Sequence, residues 1–198
     1  MTEYKNNIKQ IRIQKMKYHA LFVSISLSSL ISNYTFAGIY LQNYEAPQIV
    51  KYGVNTVVFI EPKRNACSQK MCAVVTPKWN SSEPKKLQLR SHVAQLHVNI
   101  SSASILIDGQ EVILNTENGT TLGENLDGSN KLSMQNHYAN YDIIDRIIHA
   151  QDATIKIRTA NGETESLIKA KGLLSQQGKV LEAFKSKVNS EKLKLGIE

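Results

Sequence analysis

The sequence is poor in cysteine, proline and tryptophan, with two, four and one among 198 residues. Two cysteines exclude a disulfide-dense mini-protein and every four-cysteine zinc module. Four prolines and ten glycines exclude a collagen-like or proline-rich chain. No internal repeat of 20–50 residues is visible, which excludes a solenoid or propeller. After residue 37 there is no long apolar run, and with it no second candidate for a membrane span. What is present, 41% hydrophobic and 21% charged residues, suits a globular chain and not a disordered one.

The N-terminus carries the clearest signal. Lys5, Lys9, Arg12, Lys15 and Lys17 form a basic stretch, within which Met16 offers an alternative start. Ala20 to Ser32 follows without a charge, and Thr35-Phe36-Ala37 places small residues at the −3 and −1 positions of a cut before Gly38. This is the pattern of a secretory signal peptide. The apolar run is too short, and too rich in serine, to cross a bilayer core of about 30 Å. The expected organisation is a signal peptide over 1–37 cleaved between Ala37 and Gly38, one exported domain over 38–188, and a flexible tail over 189–198. The location would be periplasmic or secreted, with a mature form that does not span the membrane.

Charge has to be recounted without the leader. Removing its five basic residues and Glu3 leaves 19 basic and 16 acidic residues, net +3 instead of +7. The basic excess therefore belongs mostly to export, and no Lys/Arg-rich segment interleaved with aromatics points to nucleic acid. In an exported chain Cys67 and Cys72 are expected to form a disulfide. A redox pair would have two intervening residues and a following helix, and neither occurs here.

All four prolines lie between residues 47 and 84, so the N-terminal third reads as strand and loop. Strands are expected over 54–60 and 72–76, and a polar loop holding Trp79 over 78–86. Alternation from Leu87 to Ile100 changes parity near Ala94, which suggests a bulge or bend. Asp108-Gly109 between apolar runs marks a hairpin, and 115–131 reads as a long surface loop. Ile143, Ile144, Ile147 and Ile148 share one helical face, with Asn140 as candidate cap. Residues 153–158 and 164–168 read as a hairpin about Asn161-Gly162. Leu173 to Val188 repeats at helical spacing. Together these give an α+β class: a mainly antiparallel sheet with two late helices packed on one face.

Motifs that could carry chemistry each have a plainer reading. Ser166-Leu-Ile-Lys169 matches a penicillin-binding nucleophile motif, but on a strand its two key residues point apart. Gly172 to Gly178-Lys179 is one residue too long for a phosphate loop, and Val180 stands where Ser or Thr would hold magnesium. Asn125 to Asn130 lacks the acids of a calcium loop. Asn80, Asn99 and Asn118 begin glycan-acceptor triplets. His92 and His97 fall on opposite strand faces, while His137 and His149 stand alone, so no metal or cofactor is expected. The sequence therefore leans away from an enzyme and toward binding a protein or envelope component, with no nucleic acid partner. The rival expectation is a secreted hydrolase whose site gathers His92, His97, Asp142 or Asp145. A weaker electrostatic option rests on Lys169, Lys171, Lys179, Lys185, Lys187, Lys192 and Lys194.

Overall fold

The computed structural model describes residues 44–63, 73–94, 96–124 and 131–197. The expected signal peptide with its Ala37–Gly38 cut, Cys67 and Cys72, and the run 125–130 lie outside the described residues. In chain order the elements are β1 (Gln48–Tyr52), β2 (Asn55–Phe59), β3 (Ala73–Asn80), β4 (Lys86–Ala94), β5 (Ile100–Ile107), β6 (Gln110–Ile113), β7 (Asn115–Thr116), β8 (Thr121–Glu124) and β9 (Lys131–Asn140). Then come α1 (Ile143–His149), β10 (Ala153–Thr159), β11 (Gly162–Ala170), β12 (Leu173–Leu174) and α2 (Gln176–Leu195).

The class is α+β, with antiparallel sheet and two late helices. The strands form two sheets where the sequence suggests one. The first runs β1-β2-β3-β4-β9, with β7 and β8 both pairing along β9, and the second runs β12-β11-β10-β5-β6. Both sheets feed one core, in which Val75, Trp79, Leu87 and Leu89 join Ile105, Ile155, Ile157 and Ile168. The helices do not cover one face of a single sheet. Helix α2 touches β11 of the second sheet and both β2 and β3 of the first, and buries Leu181, Phe184 and Val188.

The local chemistry explains most boundaries. Asp108 (φ 47°) and Gly109 (φ 83°) both take left-handed backbone, the conformation a two-residue hairpin needs, and join β5 to β6. The parity change near Ala94 is a change of sheet: β4 ends there in the first sheet, and β5 opens at Ile100 in the second. β3 continues through Pro77 to Asn80, past the expected stop. β2 pairs with β3 only over Lys78–Asn80, and at the next position the Pro77 carbonyl still accepts from Ile60 N (3.1 Å), so the missing Pro77 N–H falls where that ladder ends. Trp79 accordingly lies on a strand and not in a loop. It is 1% exposed and donates from Nε1 to the Pro84 carbonyl at 3.1 Å.

Where β2 has left β3, a side chain takes over. Gln177 Nε2 donates to the Val75 carbonyl (2.6 Å), and Gln177 Oε1 accepts from the Val75 N–H (3.3 Å) and from the Tyr44 hydroxyl. The glutamine amide thus completes the strand edge as a neighbouring peptide would. Helix α2 itself starts later than the apolar spacing suggests, because Leu173–Leu174 pair with β11 and Ser175 caps the helix through its hydroxyl. It also ends later. The tail expected from 189 is helical to Leu195, with Glu191 buried, Lys192 stacked 4.8 Å above the Tyr141 ring, and left-handed Gly196 closing the last turn. Helix α1 begins at Ile143 after Asp142, and Asn140 is the last residue of β9, not a cap.

Strand β9 is not legible as an amphipathic strand. Its inward side chains are Ser133, Gln135 and His137, all buried and all polar. They hold loop backbone. Ser133 Oγ accepts from Val98 N and donates to Leu96 O, while Gln135 Nε2 donates to Glu117 O and Asn118 O. Within the expected surface loop 115–131, Asn115–Thr116 and Thr121–Glu124 are short strands stitched to β9.

Candidate functional site

Alternation along each strand gives every sheet an inner and an outer face. The outer face of the second sheet is an ordinary solvated one. Lys156 pairs with Glu165 (3.2 Å) and Glu163 (3.7 Å), and Arg158 pairs with Glu163 (2.9 Å). The first sheet is different. Registered across it are the rows Val74–His92–Met134, Thr76–Arg90–Asn136 and Lys78–Gln88–Tyr138, all outward. Yet Val74, Thr76, His92 and Ala94 are 5%, 5%, 8% and 8% exposed. From Ala73 to Pro77 and from Ser91 to Ala94 every residue is buried, on both faces.

That face is concave. A cavity of about 440 Å³ has Val57, Phe59, Val74, Ala94, Leu132 and Met134 as apolar wall, with Thr76, Gln88, Arg90 and His92 among them. Lys63, Lys78, Glu61 and Glu124 also line it, two of each sign. A second depression of about 670 Å³, between the 83–86 turn, β6 and α1, is lined mainly by polar groups, and its Lys86 is already paired with Glu83 and Glu117.

The polar groups in the concavity are fixed by neighbours. Thr76 Oγ1 and His92 Nε2 are 3.0 Å apart. Burial, and then the charge of Arg90, lower the His92 pKa from 6.5 to about 4, so the ring is neutral at pH 7. Arg90 Nε donates to Asn136 Oδ1 at 2.9 Å, and Gln88 Nε2 donates to the same oxygen at 2.9 Å. Among the described residues no carboxylate pairs with Arg90. A hydroxyl beside an imidazole is the first half of a nucleophile–base pair. Here the base is too weak for that work, and among the described residues no carboxylate hydrogen-bonds the ring to orient it.

The sequence-expected hydrolase residues do not meet. His92 lies in the concavity. His97 is exposed, with Nε2 2.8 Å from the Gly123 carbonyl. Asp142 and Asp145 lie at α1, where Asp145 pairs with Lys185 across to α2. His137 is fully buried under the first sheet, with Nδ1 3.0 Å from Thr116 Oγ1 and a pKa lowered by burial to about 4. His149 Nδ1 lies against the Asp145 carbonyl. Ser166 and Lys169 sit on β11, with the Lys169 ammonium donating to the Ile148 carbonyl. Gly178 packs against β11 and cradles nothing, since a Cβ there would lie 2.4 Å from the Ile168 carbonyl oxygen. Of the basic run, Lys169, Lys185 and Lys194 are engaged with Ile148, Asp145 and Glu191, and Lys192 with Tyr141. Among the described residues no three His, Cys, Asp or Glu side chains are placed to share a metal, and no helix is long and apolar enough to cross a membrane.

Arg90, Asn136, Val74 and Met134 were not singled out by sequence reasoning. The available signal was the two-sided apolar character of Ala73-Val-Val-Thr76, which an antiparallel strand with one solvated face does not need. Comparison with known proteins adds no relative: no family model, no curated protein and no solved structure matches the chain.

Proposed function

We propose that the chain is an exported binding domain, periplasmic or secreted, that captures a protein or envelope component on the outer face of its first sheet and performs no catalysis. The contrast between the two outer faces supports this reading. One is a ladder of exposed ion pairs, and the other withdraws four outward side chains from water around an apolar concavity. Concave, mainly apolar sites with a few fixed polar groups are the usual form of ligand sites. The leader over 1–37 supports export, and the separation of His92 from His97, Asp142 and Asp145 speaks against the hydrolase.

The test begins with expression of the full chain in a cell that exports. The recovered protein should lie outside the cytoplasm, lack residues 1–37 in its intact mass, and be two hydrogens light for a Cys67–Cys72 bridge. It should then retain an envelope component or protein through washing, without turning it over. Full-length protein in the cytoplasm with two reactive thiols would contradict the reading.

A further inference from the structure

The cavity holds a cation, Arg90, that no carboxylate among the described residues pairs with. Arg90 is half-buried on β4 among Val74, Phe59, Leu132 and Met134, and among the described residues it makes no ion pair. Its Nε is committed to Asn136, which Gln88 braces in turn, so the planar fork is held by one edge. The rest of the guanidinium keeps four N–H donors. A half-buried cation left without a partner is costly, and a bidentate anion is the group whose shape matches that fork.

The nearby groups narrow the choice. Thr76 and His92 are bonded to each other and neutral, so they add polarity without a second positive charge. Lys63, Lys78 and Arg90 line the cavity together with Glu61 and Glu124, three cations against two carboxylates. A highly charged anion such as a polyphosphate would meet those two carboxylates as well, whereas a single negative charge matches the net of one positive charge. The apolar wall favours a ligand with a hydrophobic body, and about 440 Å³ admits one of modest size.

Resting on the binding reading above, the geometry points to a small amphiphilic monocarboxylate as the ligand, its carboxylate forked by Arg90 and its apolar body laid along Val74, Phe59 and Met134. The same chemistry could be presented by a free acid or by the C-terminus of an apolar polypeptide.

The full chain is titrated calorimetrically at pH 7 with octanoate, octanol and octylamine, and with a short apolar peptide carrying either a free or an amidated C-terminus. A carboxylate should bind about tenfold or more tightly than its neutral counterpart, as expected of a hydrogen bond to a charged group. Whichever pair shows that preference identifies the source. Arg90→Gln should abolish the preference while leaving octanol unchanged. Should that variant melt early, Met134→Trp, which fills the cavity, serves instead and should remove octanoate and octanol together. Equal binding of charged and neutral probes, or equal weakening of both by Arg90→Gln, overturns the carboxylate. If both probes bind alike and both are lost in Met134→Trp, the binding face survives and only its ligand chemistry falls.

Discussion

Gly178→Ala in helix α2 tests whether the helix is docked on β11 as closely as described. In a helix interior alanine is favoured over glycine by about 1 kcal/mol, so intrinsic propensity predicts a gain. Packing predicts the reverse. The new Cβ would lie 2.4 Å from the Ile168 carbonyl oxygen and 2.8 Å from Leu174 Cδ2. Leu174 can rotate, but the oxygen belongs to β11 and already accepts from Ser175 N at 2.8 Å. Relief requires the helix to lift, which would stretch that bond and pull Gln177 from Val75. Such overpacking costs about 1–3 kcal/mol, and disturbance of the Ser175 and Gln177 bonds adds to it, so the net is a loss of about 1–2 kcal/mol. For a chain of this size the melting temperature should fall by about 2–8 °C. Thermal unfolding followed by circular dichroism at pH 7 reads this directly, with Gly119→Ala, where a Cβ meets open space, as control. A melting temperature for Gly178→Ala equal to or above wild type would refute the close docking.

Other consequences follow from the buried polar groups. Both His92 and His137 have pKa values lowered from 6.5 to about 4, so between those values the unfolded chain binds more protons than the folded one. Stability should be full above pH 6.5 and fall as pH drops toward 4, by about 3 kcal/mol per histidine at most. A chemical-denaturation midpoint that does not move between pH 7.5 and 4.5 would contradict this. Gln177→Leu keeps the volume but leaves Val75 N–H, Val75 C=O and the Tyr44 hydroxyl without their partner. It should cost about 2–4 kcal/mol in urea unfolding, and a loss below about 0.5 kcal/mol would mean that the edge finds other partners. Trp79→Ala empties a site that is 1% exposed and should cost about 3–5 kcal/mol by the same assay.

Much of the fold is written locally. The Asp108-Gly109 hairpin, the isoleucine face of α1 and the spacing of Val180, Leu181, Phe184 and Val188 in α2 are short-range patterns that tertiary packing did not overrule. What escaped depended on partners distant in sequence. Pro77 reads as the end of β3 in sequence, and only the pairing shows that β2 leaves β3 at that residue. Ser133, Gln135 and His137 disguise β9 because their work is to bind loop backbone and not to bury carbon. The extension of α2 past Val188 rests on the Tyr141 ring under Lys192, 51 residues away in sequence. The site was less legible than the fold. His92 was visible as a residue type, but its setting was not. The concavity exists only when β2, β3, β4 and β9 register side by side, and Arg90 acquires its orientation from Asn136, on a neighbouring strand.

The claim on which the functional reading turns is that the outer face of the first sheet, and not that of the second, is the binding surface. The direct measurement is retention of the envelope component by the full chain carrying Met134→Trp on the first face or Lys156→Trp on the second, each confirmed folded by its melting curve. Loss of retention with Met134→Trp and none with Lys156→Trp is the predicted result. Retention undiminished by Met134→Trp, or abolished by Lys156→Trp alone, would contradict it.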